Sequence, residues 1–151
     1  MKTKSLPDGS VVHHDAQGIM QIHDFGGGVS LHVRRGIMTG DFAAYVIEDG
    51  ERQIQKFGRY VLMVDGVETK MHMTEFREVM TNWFRDHESA VVHMLIRSKM
   101  LDMALTVANL AMGSTRALAY VDPDAWEAIG RREARGFRRR PLASTAEVTS
   151  D

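Results

Sequence analysis

Tyr60-Val61-Leu62-Met63-Val64-Asp65 is the stretch on which the architecture turns. A continuous apolar run of this length predicts a strand covered on both faces, because a strand with one wet face alternates apolar and polar residues. Ala90-Val91-Val92-His93-Met94-Leu95-Ile96 reads the same way. Between them the spacing predicts a helix. Thr74 stands as its N-cap, and Glu75 in the first turn suits the positive end of the helix dipole. Phe76, Val79, Met80, Trp83 and Phe84 fall at i, i+3, i+4, i+7 and i+8 and make one apolar stripe. Two buried strands joined by an amphipathic helix imply a parallel pair with a right-handed crossover.

Downstream the unit repeats. Ser98 caps a helix expected through Met112 and closed by Gly113, with Ala104, Ala108 and Ala111 forming a small-residue face. Thr115–Val121 is the last expected strand. Asp122-Pro123 places a cap and an N1 proline at the start of a helix that turns Trp126 and Ile129 inward. That helix is expected to run through Gly130 toward Phe137. Upstream, Thr39 caps a helix from about Asp41 to Lys56, with Phe42, Tyr45, Val46 and Ile54 toward the core, and Gly50 weakens it. Before that come three short strands, Ser10–His14, Ile19–Phe25 and Val29–Arg34, separated by turn signals at Asp15–Gly18 and Gly26–Gly28. The expected fold is α/β: a mixed, mainly parallel central sheet, an antiparallel N-terminal hairpin edge, and helices packed on the sheet. Residues 1–9 read as an N-terminal extension, 10–137 as a single domain, and 138–151 as a basic junction with a disordered tail.

The 151 residues suffice for one hydrophobic core, and an apolar share of 44% with 26% charged residues is ordinary for a globular chain. Without cysteine there are no disulfides and no cysteine-ligated metal. The basic N-terminus is not followed by an apolar run, so no signal peptide is expected. The apolar stretch near Met100–Met112 is too short and too polar for a bilayer span, and a cytoplasmic protein is the expectation. Net charge is −1, which argues against nucleic acid as a partner. Charge is nevertheless uneven: residues 131–140 hold six Arg and one Glu, a local +5.

The segment from Gly58 to Ile129 resembles the STAS domain in its SpoIIAA-like (STAS/SEC14-like) branch. The resemblance rests on Val61-Leu62-Met63-Val64-Asp65, the following loop from Gly66 to Met73 and the helix opening at Thr74. It rests also on His93-Met94-Leu95-Ile96-Arg97-Ser98 and on Tyr120-Val121-Asp122 leading into Ala125-Trp126-Glu127. It implies a non-catalytic binding module of the kind that acts as an anti-sigma-factor antagonist, with a kinase-like anti-sigma factor or another regulator as partner. It also implies that a Ser or Thr at the start of the helix after the central strand is phosphorylated, and Thr74 matches that position. The family's Asp-Ser-Ser-Gly-type signature is replaced by Met73-Thr74-Glu75-Phe76. The SEC14-like label implies a lipophilic ligand.

Read from chemistry alone, Thr74 is either a plain cap or a regulated hydroxyl beside unpaired backbone N–H groups. Asp65 after a strand invites comparison with a phosphate-accepting receiver, but the acidic pair and the lysine that such a site needs are missing. Seven histidines show no ligand spacing, so no metal and no cofactor is expected. Gly26-Gly27-Gly28 leads into a strand and lacks the Lys-Ser/Thr of a phosphate loop. No Ser-His-Asp set can be assembled, and no catalytic residue is expected. The expected partner-binding edge comprises Asp65, Met71, His72, Met73, Thr74, Glu75, Arg97 and Ser98, where strand C-termini meet helix N-termini. Methionines at 71 and 73 would give it an adaptable contact surface. Arg131, Arg132, Arg135, Arg138, Arg139 and Arg140 form a second candidate, an electrostatic patch, with Arg131, Arg135 and Arg138 on one face if the segment is helical. Three readings therefore stand: a regulatory protein-binding module, a module docking on an anionic membrane surface through the arginines, or a self-assembling homo-oligomer.

Overall fold

The computed structural model describes residues 1–97 and 116–149. The expected Ser98–Met112 helix, its alanine face and Thr115 lie outside the described residues. Strands β1 (Lys2–Ser5), β2 (Val11–His14), β3 (Gly18–Asp24) and β4 (Val29–Met38) come first. Helix α1 (Gly40–Phe57), strand β5 (Tyr60–His72), helix α2 (Thr74–Arg85) and strands β6 (Ala90–Leu95) and β7 (Ala117–Tyr120) follow. Helices α3 (Pro123–Glu133) and α4 (Thr145–Thr149) close the order. The strands form one sheet in chain order from β1 to β7. Pairing is antiparallel from β1 to β4 and parallel from β4 to β7. The mixed α/β architecture with parallel central strands is thus the expected one.

The two faces are covered by different elements. On one, α1 and α2 pack Phe42, Val46, Phe76, Trp83 and Phe84 against Tyr60, Leu62 and Val64. On the other, Trp126 and Phe137 cover Leu31, Val33, Val61, Met63 and Leu95. Alternate β5 residues serve opposite faces, as the pleat requires, so the Tyr60–Val64 run had to be apolar throughout.

Several elements differ from expectation, each for a physical reason. Strand β5 does not stop at Asp65 but continues to His72, paired on one side with β4 through Met38↔His72. Among the described residues its second half has no strand partner on the other side, and it carries the exposed Glu68 and Lys70. Residues 2–5, expected in an extension, pair as β1 with β2. The segment after Pro141, expected as a loose tail, packs Ala143 and Val148 with Leu6 and Val12. Helix α3 ends at Glu133 rather than running toward Phe137. The chain turns back there, and a Cβ on Gly130 would lie 2.1 Å from Phe137 Cδ1. Phe137 is the buried anchor of that return. Asp122 caps α3 as expected, accepting from Asp124 N at 3.0 Å.

Gly50 marks a close helix crossing. A Cβ there would lie 2.5 Å from Trp83 Cη2 and 2.9 Å from Tyr60 Cδ2, so the bare α-carbon is what lets α1 settle on α2 and β5. On an open helix, Gly→Ala stabilises by about 1 kcal/mol. Here Gly50→Ala is expected to destabilise by about 1–3 kcal/mol through overpacking, read as a lowered urea midpoint with an unchanged m-value. A stabilised variant would show that the crossing is loose.

Candidate functional site

The residues expected at one rim fall in two places. Asp65 pairs with Leu95 at the end of β6, so Asp65 and the exposed Arg97 share that end of the sheet. From Asp65, β5 runs seven residues further, roughly 20 Å at about 3.3 Å per residue, before reaching His72 and the start of α2. Met71, His72, Met73, Thr74 and Glu75 therefore form a separate tip. Ser98 lies outside the described residues.

At the tip, β4 and β5 end together and two helices begin. Met73 N donates to Met38 O at 3.0 Å, which carries the ladder to its last pair. Thr39 takes the N-cap position of α1, without a side-chain cap bond. Met73, not Thr74, takes that position for α2; Thr74 is the first helical residue. Its exposed hydroxyl accepts from Arg77 Nη2 at 3.1 Å instead of capping. The Glu75 side chain lies over Gly40, where a Cβ would sit 2.5 Å from Glu75 Cδ. That places a carboxylate at the positive end of α1. Met71 is 47% and Met73 42% exposed, a large apolar pair facing solvent.

Beneath the tip lies a buried cation. Arg34 is 3% exposed. Its Nη1 approaches His72 Nε2 at 3.4 Å and its guanidinium stands 5.3 Å from the Phe76 ring centroid. His72 stacks on the same ring at 5.1 Å. Burial, with Arg34 and Arg77 nearby, pushes His72 down to about 3, so its neutral Nε2 accepts from Arg34. Burial also lowers Arg34, to about 10, which leaves it charged at neutral pH. The arrangement ties the end of β5 to the first turn of α2 and fixes the position of Thr74.

The arginine segment does not form one helical face. Because α3 stops at Glu133, Arg135, Arg138, Arg139 and Arg140 lie on the returning chain. Arg131 pairs with Glu127 at 3.2 Å and Arg132 with Glu133 at 3.8 Å. Arg139 Nε donates to Asp65 Oδ2 at 2.7 Å, where the Asp65 side chain is 8% exposed. Two residues expected in different sites are thus partners. Arg139 N also donates to Glu127 at 2.6 Å, and Arg140 lies 5.7 Å from the Phe25 ring centroid. Residues 134–143 form a strap across the sheet, finishing where Ala143 N donates to the buried Gln21 Oε1 at 2.8 Å.

Sequence reasoning missed the most densely bonded polar cluster. Asp49 of α1, 1% exposed, receives Tyr60 Oη–H at 2.8 Å and His32 Nε2–H at 2.9 Å on Oδ2, and Arg52 Nη2 at 2.8 Å on Oδ1. Burial alone would raise this carboxyl, but the bonds from His32 and Tyr60 outweigh it and hold Asp49 at about 2. Burial pushes His32 down, so it is a neutral donor, and burial with Asp49 beside it pushes the Tyr60 phenol up. The trio resembles an acid–base set in composition. All three side chains are buried, and only the half-exposed Arg52 links Asp49 toward solvent. The signal was available: Asp49 sits at i+3 from Val46 and i+7 from Phe42, on the apolar stripe of α1.

Among the described residues, no three His, Asp or Glu side chains gather as a metal cage, and no helix is long and apolar enough to cross a membrane.

Buried histidines set the pH response. His13, His23, His32, His72 and His93 are all depressed, chiefly by burial. Below about pH 6.5 the unfolded chain takes up protons on these rings that the folded chain refuses. Stability therefore falls as pH drops, at about 1.4 kcal/mol per pH unit for each differing proton. For His13, held at about 4 when folded, that window runs from about 6.5 down to about 4. Urea midpoints at pH 7.5 and 5.0 are expected to differ strongly, the lower pH being less stable; equal midpoints would contradict the burial of these rings.

No family model matches the sequence, and no curated protein matches it. Among solved structures, one with a TM-score of 0.52 is described as an uncharacterized protein of the DUF3478 family with a SpoIIAA-like fold, from Shewanella loihica. The two are 14% identical, and the match covers 75% of this chain and 93% of the other. This likeness, with the mixed sheet and the helices packed on it, shows a SpoIIAA-like fold.

Proposed function

We propose that this protein is a non-catalytic docking module that binds a protein partner through the tip formed by Met71, Met73 and Thr74. The carrying observation is the pair of large exposed methionines at the end of β5 and the N-cap of α2. Unbranched thioether side chains adapt their shape to a partner at little cost, and exposed apolar surface of this kind marks contact sites. The junction beneath them is held rigid by Arg34, His72 and Phe76, so a partner meets a preformed surface.

Thr74 supplies regulation in this reading. Its hydroxyl is exposed, stands in the first turn of a twelve-residue helix, and already touches Arg77. A phosphoryl group there would add about −1.5 to −2 charge facing an arginine and the positive end of the dipole, while Glu75 would oppose it. A regulator able to phosphorylate or sense this hydroxyl fits the chemistry of the tip.

Affinity purification from the native cell tests the proposal. Wild type is expected to retain a partner that Met71→Ser/Met73→Ser loses by about tenfold or more, with an unchanged thermal midpoint. Thr74→Glu is expected to alter the retained set. Identical partner sets for all three proteins would overturn the reading.

A further inference from the structure

A cavity of about 330 Å³ opens on the opposite face of the sheet from α1 and α2, between the β2–β3 turn, β4–β5 and α4. Its size falls at the lower end of small-ligand pockets. Ile19, Ala143 and Val148 give it apolar walls, and Arg35 of β4 and Lys70 of β5 bring two cations to it.

The sheet is irregular at this place. The β4–β5 register slips twice, between Val33 and Arg35 and again between Gly36 and Ile37. Across the second slip Gly36 pairs with Thr69 and Ile37 with Met71, which leaves Lys70 as the extra residue of a bulge. Bulges re-aim side chains and are frequent beside functional sites. Gly36 adopts φ +81°, and a Cβ there would lie 2.3 Å from Gln17 O. A Cβ on Gly18 would lie 2.4 Å from Ile37 O. The two glycines let the β2–β3 turn close onto the bulge, and together these departures from a regular sheet bring Arg35 and Lys70 to one opening.

Arg35 and Lys70 are both exposed residues. Arg35 meets Glu68 only at 3.4 Å, and both side chains are about half exposed. Asp15, the carboxylate at the cavity, is already bonded to Gln17 N and Gly18 N at 2.8 and 2.9 Å. We infer that this cavity binds a small amphipathic organic anion, with its carboxylate or phosphate on Arg35 and Lys70 and its apolar chain against Ile19 and Val148. The site lies apart from the methionine tip and does not depend on the docking reading.

Calorimetric titration of the full chain at low salt with octanoate, octyl phosphate, 1-octanol and inorganic phosphate tests this. Saturable binding of octanoate, octyl phosphate or both is expected, the tighter one identifying the head group. Octanol and inorganic phosphate are expected to bind at least about tenfold more weakly. Arg35→Ala/Lys70→Ala is expected to lose about tenfold or more in affinity for the amphiphile. Photoreactive octanoate on the wild type is expected to label peptides containing Ile19 or Val148, which keeps the question answerable if the double variant is unstable. No saturable amphiphile binding, undiminished affinity in a folded double variant, inorganic phosphate binding as tightly as the amphiphiles, or labelling elsewhere would each overturn the inference.

Discussion

The Asp49 carboxylate is the constraint around which the α1 side of the molecule is arranged. A charge with 1% exposure is tolerable only when donors replace its lost water. Here the donors come from three elements: His32 from β4, Tyr60 from β5, and Arg52 from the next turn of α1 itself. Each donor fixes a different degree of freedom. The β4 and β5 donors set which way α1 is rotated and where along the sheet it sits. With α1 so placed, Gly50 must face Trp83 and Tyr60, where no side chain fits. An apolar residue at position 49 could have filled the same volume. The ionised group instead admits one arrangement, because any sliding of α1 strands a buried charge.

Strand β5 then divides the molecule into a core and an extension. Its first half is paired on both sides, with β4 and β6, and is apolar on both faces. Among the described residues its second half pairs with β4 alone. That asymmetry explains the bulges, since a strand bonded on one side can take extra residues without breaking a second ladder. It also explains how the extension presents two surfaces: the tip at Met71–Thr74, and the cavity to which the bulges deliver Arg35 and Lys70.

The parts of this fold that could be read from the sequence were those with a single strong period. The Tyr60–Asp65 and Ala90–Leu95 runs, the stripe from Phe76 to Phe84 and the Asp122-Pro123 start all correspond to elements of the structure. The second half of β5 was obscured because Gly66, Glu68 and Lys70 look like loop residues. Val67, Thr69 and Met71 do alternate with Glu68, Lys70 and His72, which is the pattern of a one-sided ribbon, but the bulges spoil its phase. Strand β1 is four mostly exposed residues, Lys2-Thr3-Lys4-Ser5, paired with β2 across the turn that directly follows it, and it carries no apolar alternation to mark it as a strand. At the candidate site, exposure of Met71, Met73 and Thr74 followed from reading them near a surface junction. The partnership of Asp65 with Arg139 depends on the chain reversing after Glu133 and could not be read from spacing.

That reversal changes what the arginines mean. Counted along the chain, residues 131–140 are a +5 arm. In the fold, Phe137 is driven into the core among Leu31, Val61 and Trp126, and its burial pulls the flanking residues across the sheet. Arg131, Arg132 and Arg139 meet Glu127, Glu133 and Asp65, and Arg140 meets the face of Phe25. Opposite charges within 4 Å of one another largely cancel beyond a Debye length of about 10 Å. A segment bound this way acts at short range, as a clasp closing α3 and the C-terminal chain over the second core. Counting Glu127 and Asp65 with the segment lowers its charge from +5 to +3, so part of the long-range field is neutralised while Arg135 and Arg138 stay exposed. Recognition by shape, through the rigidly supported methionines of the β5 tip, asks for no such field.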